Sequence, residues 1–219
     1  MMRLTRCSGS PNIGVYASVN ESLSLVAANS APDFVKDIET ILGVETILTT
    51  ISGSFVLGSL VRMNSYGVVV TGMIEETELN RIKEKIQVTV LPDKINAAGN
   101  NILANDNGAI INPMLSANAE KRIADALGVE AVRSSIAGYD TVGSACVVTN
   151  KGCLCNVNAT EEDMELIRDV LGVEPKKSSV NHGSKYIGAG VLCNSKGALV
   201  GDETTPIEMG KIEEGLVLY

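Results

Sequence analysis

The chain repeats itself five times at about 44 residues, a period that restricts it to folds built from small units completing one another. Gly14, Gly58, Gly99, Gly143 and Gly188 each open an apolar strand, and they stand 44, 41, 44 and 45 residues apart. In four repeats that strand runs into a turn that holds an asparagine and ends on glycine: Asn64 to Gly67, Asn105 to Gly108, Asn150 to Gly152 and Asn194 to Gly197. Asn and Gly tolerate positive φ, so such turns between apolar runs predict β-hairpins. The first repeat keeps Asn20 but carries Leu23 where the others have Gly, which leaves its turn less defined.

Helical spacing follows each hairpin, as in Phe34, Val35, Ile38, Ile41 and Leu42, or Met164, Ile167, Val170 and Leu171. Ser30 to Asp33, Thr160 to Asp163 and Thr205 to Glu208 read as capping boxes, the last with Pro206 at the first helical position. Gly43, Gly128 and Gly172, each within a Leu-Gly-Val-Glu run, read as left-handed helix stops, and a third strand follows, such as Val44 to Ile51. The unit is therefore ββαβ. The last unit stops short, with 32 residues from Gly188 onward, while 13 precede Gly14, and the two together make one repeat. Arg3 to Cys7 is thus expected to supply the closing strand of the fifth unit. The expected architecture is a closed five-fold pseudosymmetric α/β propeller, a single domain over residues 1–219.

Charge narrows the partners. With 26 acidic against 18 basic residues the net charge is −8, opposite to the clustered Lys and Arg that phosphates demand. No Trp and two Phe leave little for base stacking. DNA and direct RNA binding are disfavoured, and a basic protein surface is the better match. The apolar runs fall well short of the roughly 18 residues of a membrane span, and the N-terminus lacks a signal-peptide core. Five scattered cysteines suit a reducing compartment, so a cytoplasmic monomer without cofactor or metal is expected.

A five-fold ring of ββαβ units resembles the pentein fold. AAGNNILANDNGAIINPML (Ala97 to Leu115) and VNHGSKYIGAGVLCNSKGALVGDETTP (Val180 to Pro206) are similar to stretches of the translation initiation factor six family, and the likeness extends more loosely over all 219 residues. That resemblance implies binding to the large ribosomal subunit on its intersubunit face, steric prevention of small-subunit joining, and, in eukaryotic relatives, a role in large-subunit maturation. The chain stops at Tyr219 without the C-terminal tail of eukaryotic members, which points to the archaeal type. In the family the residue after the third opening glycine is a ribosome-facing asparagine, here Asn100. Pseudosymmetry puts Ser59, Ser144 and Ala189 at the same end, although small residues there also suit a crowded axis.

Two chemical alternatives accompany this reading. Other penteins modify guanidino groups with a cysteine, a histidine and paired acids, for which Cys193 and His182 are the available pair; a loop role for His182 and a buried structural thiol for Cys193 fit the sequence better. Cys146, Cys153 and Cys155 could approach across a hairpin, but a fourth zinc ligand is missing and small core residues are the simpler account. Glu161, Glu162 and Asp163 suit a helix first turn, Glu75-Glu76 and Glu213-Glu214 a solvated helix surface. Asp202 to Thr205 resembles a family element whose capping role alone explains it. A generic protein-binding ring is the third reading.

Overall fold

The structure, a computed structural model, describes residues 1–219. It begins with β1 (Met2–Thr5) and then repeats one pattern. Unit one is a 3-10 turn (Ile13–Val15), β2 (Ala17–Val19), β3 (Leu23–Ala27), α1 (Pro32–Leu42) and β4 (Glu45–Thr49). Unit two is α2 (Leu57–Leu60), β5 (Val61–Met63), β6 (Val68–Thr71), α3 (Glu76–Lys83) and β7 (Val88–Leu91). Unit three is α4 (Ala98–Asn101), β8 (Ile102–Ala104), β9 (Gly108–Ile111), α5 (Ala117–Leu127) and β10 (Glu130–Arg133). Unit four is α6 (Val142–Ala145), β11 (Cys146–Val148), β12 (Cys153–Asn156), α7 (Glu161–Leu171) and β13 (Pro175–Ser178). Unit five is α8 (Ile187–Gly190), β14 (Val191–Asn194), β15 (Gly197–Gly201) and α9 (Pro206–Gly215).

Each unit makes its own three-stranded sheet, so the assembly is a propeller and not a barrel. The first two strands pair antiparallel, and the third lies parallel to the second after its helix, as in β2, β3 and β4. In the fifth unit the third place is taken by β1, parallel to β15 with Met2 opposite Ala198 and Thr5 opposite Gly201. The N-terminus thus supplies the closing strand as the residue arithmetic required, but over Met2–Thr5 and not Arg3 to Cys7, since Cys7 already turns back to bridge Ser10.

No unit has a core of its own. The five apolar clusters straddle unit boundaries: Phe34, Ile38 and Leu42 of α1 pack with Leu192 and Leu199 of unit five, and Leu23 and Leu25 of unit one with Val68, Val70 and Ile82 of unit two. Fully burying one such Ile or Leu contributes about 1.5–3 kcal/mol. Neighbouring units therefore stabilise one another.

Two expectations about the glycines are corrected. The opening glycines do not start strands; they sit in one-turn helices just before them. There the units meet backbone to backbone, because a Cβ on Gly14, Gly58, Gly99, Gly143 or Gly188 would fall 1.9–2.1 Å from the carbonyl oxygen of the preceding unit's glycine. That series runs once around the ring, from Gly14 to Gly188 and back. The hairpin glycines likewise do not serve positive φ, which none of them adopts. They admit the end of the next unit's helix: a Cβ on Gly67 would lie 2.1 Å from the Ala126 oxygen, and one on Gly108 2.0 Å from that of Val170. Leu23 occupies this position where the neighbouring helix, α3, runs 8 residues instead of 11 and lacks a glycine stop.

The turn asparagines act through their side chains. Asn105 Oδ1 accepts from the Asn107 and Gly108 N–H groups, while its Nδ2 donates to the Thr149 and Leu171 carbonyls of unit four. Asn194 reaches unit one in the same way, Asn20 reaches unit two and Asn64 unit three. The first-repeat turn is therefore like the others. In unit four the equivalent residue is Thr149, not Asn150; Thr149 caps its own turn but has no amide to pass on, so the belt lacks one link. Gly43, Gly128 and Gly172 do close their helices at φ 60–65°. The boxes at Thr160 and Thr205 form. Ser30 caps nothing: α1 starts after Ala31, and the Ser30 hydroxyl lies against the Cys7 thiol.

Candidate functional site

The inner strands β2, β5, β8, β11 and β14 surround the pseudo-five-fold axis, and the one-turn helices crowd one end of it. The residue after each opening glycine, Val15, Ser59, Asn100, Ser144 and Ala189, lines the mouth of a cavity of about 60 Å³ on that axis. All five are half-buried. The structure thus brings Asn100, Ser59 and Ser144 together at one opening. None of these three side chains hydrogen-bonds within the chain, whereas adjacent Asn101 is buried, donating to the Ala97 carbonyl and accepting from Asn112 Nδ2. Asn100 is left free for something outside the chain.

The cavity floor is one residue from each inner strand: Val19, Met63, Ala104, Val148 and Cys193. Below it lies a smaller hollow of about 30 Å³ ringed by the asparagine belt with Glu21 and Asp106. The two ends of the axis therefore differ: small residues and one cation, Arg62, at the glycine turns, acidic residues at the hairpins.

Second and third strands run parallel, so the loops leaving both emerge at the glycine-turn end. These loops hold Phe55 and Tyr186, 42% and 50% exposed, and Met73 and Met114, 60% and 69% exposed, while Ile207, 77% exposed, stands in the first turn of α9 just beyond. Large apolar side chains are thus presented at this end of the ring. Sequence reasoning missed them; their shared repeat position, just past the second or third strand, was the available clue.

The same loops are pinned by carboxylates. Glu208 accepts from the Ser179 hydroxyl at 2.7 Å, the Thr205 N–H at 2.8 Å, the Gly183 N–H at 2.8 Å and the His182 N–H at 3.2 Å. Burial opposes its ionisation, but these donors outweigh it and bring its pKa down to about 2. Glu78 binds the Ser52 and Gly53 N–H groups alike. Asp202 pairs with Arg6, and Thr204 Oγ1 accepts from the Asn181 N–H, so the Asp202 to Thr205 element holds loops together.

Cys193 and His182 line different cavities. His182 is exposed on a left-handed loop at φ 60°, and Cys193 sits in the axial floor, its thiol pushed up to about 12 by burial. No nucleophile–base pair forms. Cys146 lies opposite Cys155 across β11 and β12, all three hairpin cysteines belong to one apolar cluster, and Cys155 Sγ donates to Met164 Sδ at 3.3 Å. Burial raises the pKa of each. No three His, Cys, Asp or Glu side chains gather as metal ligands. Buried thiols are inert, so the five free cysteines should resist iodoacetamide in native buffer and all react in guanidinium, as intact-mass spectrometry would read; rapid native labelling of Cys193 would contradict this.

No helix is long and apolar enough to cross a membrane. Residues 2–215 match the family model described as the eIF-6 family. The chain is 40% identical over 216 residues to translation initiation factor 6 of Thermoplasma acidophilum, an alignment covering 99% of this chain and 100% of that protein. It is 42% identical over 210 residues to translation initiation factor 6 of Methanocorpusculum labreanum (94% and 95%), and 39% over 204 residues to that of Methanosarcina mazei (93% and 93%).

Proposed function

Since the chain belongs to the eIF-6 family, we propose that it binds the large ribosomal subunit through the glycine-turn end of its ring and, by occupying the intersubunit face, keeps the small subunit from joining. The observation that carries the site is the Asn100 amide, open at the axial mouth without a partner in its own chain and set among exposed apolar loops. Ser59 and Ser144 complete the same rim. A net charge of −8 favours contact through a basic ribosomal protein over rRNA. Blocking by volume needs no catalytic group. The factor acts in the cytoplasm as a monomer, with residues 1–219 forming one closed domain, and a part in large-subunit maturation is consistent with the same contact.

Sucrose-gradient sedimentation with purified archaeal subunits tests this. The protein should travel with large subunits and lower the joined-ribosome peak. Asn100→Ala should weaken binding about tenfold, the worth of one or two interface hydrogen bonds, and Asn100→Asp more, with the melting temperature unchanged. Unaltered affinity in both variants removes Asn100 from the interface. Protein that stays at the top of the gradient at every salt concentration points instead to a ring with some other protein partner.

A further inference from the structure

Arg62 is the only charged side chain lining the axial cavity, and the contact proposed above does not use it. The equivalent positions on the other inner strands are Ser18, Leu103, Val147 and Leu192, so one cation stands among four neutral residues. Its Nη2 donates to the Gly99 carbonyl at 2.6 Å and reaches that of Gly143 at 3.5 Å, which lays the guanidinium across the axis. Its Nε is sealed from solvent and has no hydrogen-bond partner. No carboxylate lines the cavity, and none pairs with Arg62.

Burial lowers the Arg62 pKa to about 10, which leaves the group charged at neutral pH. Buried charges are rarely left uncompensated, and a buried N–H donor without an acceptor is costly. The chain itself supplies no counter-charge. A volume of about 60 Å³ accommodates about four water-sized spheres, which is room for one small ion and some of its hydration but not for a nucleotide or a sugar. The Ser59 and Ser144 hydroxyls and the Asn100 amide, without partners in the chain, supply further donors at the entrance.

We propose that the axial cavity is a binding site for one small monovalent anion, a halide or a formate-sized carboxylate, held by the Arg62 guanidinium. The geometry selects charge and size. One cation calls for one negative charge, and the ring of backbone carbonyls and apolar floor residues leaves no second cation for a divalent oxyanion.

Thermal unfolding at one fixed ionic strength in sodium chloride, sodium formate and sodium gluconate tests it, gluconate being too large to enter. The melting temperature in chloride and in formate should exceed that in gluconate by about 3–6 °C, and whichever is larger identifies the preferred chemistry. Arg62→Met, of similar length and neutral, should abolish the difference. Crystals grown in sodium bromide should show an anomalous peak within hydrogen-bond reach of Arg62, a reading that does not depend on the variant folding. Equal chloride-to-gluconate and formate-to-gluconate differences in wild type and Arg62→Met, or a cavity empty of bromide and of formate in crystals grown in each, would mean that water alone compensates Arg62 and would overturn the proposal.

Discussion

Gly99→Ala will leave little folded protein. A Cβ at residue 99 would stand 1.9 Å from the Gly58 carbonyl oxygen and 2.8 Å from that of Val61, both backbone atoms that cannot swing aside. Relief requires parting two units, and each unit's core is shared with its neighbours. The loss should exceed about 4–5 kcal/mol, the exceptional end of single substitutions. Two controls separate this from a general intolerance of side chains. Gly53, at φ 68° with nothing within 4 Å of the place a methyl group would take, should lose only about 1 kcal/mol on change to Ala, from backbone conformation. Gly210, in α9 with open space around it, should gain up to about 1 kcal/mol. Urea unfolding of the three variants reads all of this; a Gly99→Ala protein as stable as the Gly53 variant would show that the units part more easily than their contacts imply.

The second large effect lies in acid. Glu208 has a pKa of about 2 in the folded chain against 4.5 ordinarily, so the unfolded chain takes up a proton at a higher pH than the folded one. The stabilisation is full above about pH 4.5 and is lost as pH falls through about 2, and a shift of that size is worth about 3 kcal/mol. Glu208 is 6% exposed, so solvent screens little of it. Glu208→Gln replaces an acceptor of several N–H and O–H donors by an amide that turns a donor toward some of them. It should cost about 2–4 kcal/mol at pH 7 and flatten the acid limb of the stability curve. Unfolding at pH 7, 4 and 3 checks both, and a variant matching wild type at pH 7 would refute the clamp. The loop it holds, with Asn181, His182 and Gly183 all at positive φ, carries Tyr186 to the proposed binding face, so the same variant should also weaken subunit binding.

What was legible in the sequence was whatever repeats. Gly14 to Gly188, the Leu-Gly-Val-Glu stops and the missing strand sought in the first residues are periodic, and periodicity survives without coordinates, although the strand itself lies at Met2–Thr5. Misreadings arose where a residue's role depends on the neighbouring unit. The hairpin glycines looked like positive-φ positions because the helix end pressing on them belongs to the next repeat. Asn150 looked like a belt member because it is the right residue one position late; its side chain instead donates to Asp106 of the unit before. Ser30 offered a capping pattern, but Pro32 already starts α1. Asn100 was visible only through its register and a family likeness. Arg62 was not visible at all, since nothing in Val-Arg-Met tells that five strands converge there and that only one brings a charge.

The pairing of β1 with β15 also sets the order in which the molecule can assemble. β1 is synthesised before the first four units and its partner β15 after them, so until β15 emerges β1 has an open edge and nothing to pair with. The cluster joining Cys7 and Ile13 to Leu192 and Leu199 is equally incomplete until then. The first four units can dock in sequence as they emerge, but the last contact joins residues 2–5 to 198–201 and waits for β15. Ring closure therefore waits for residues 198–201, and a nascent chain stalled before residue 197 is an open arc with two sticky ends.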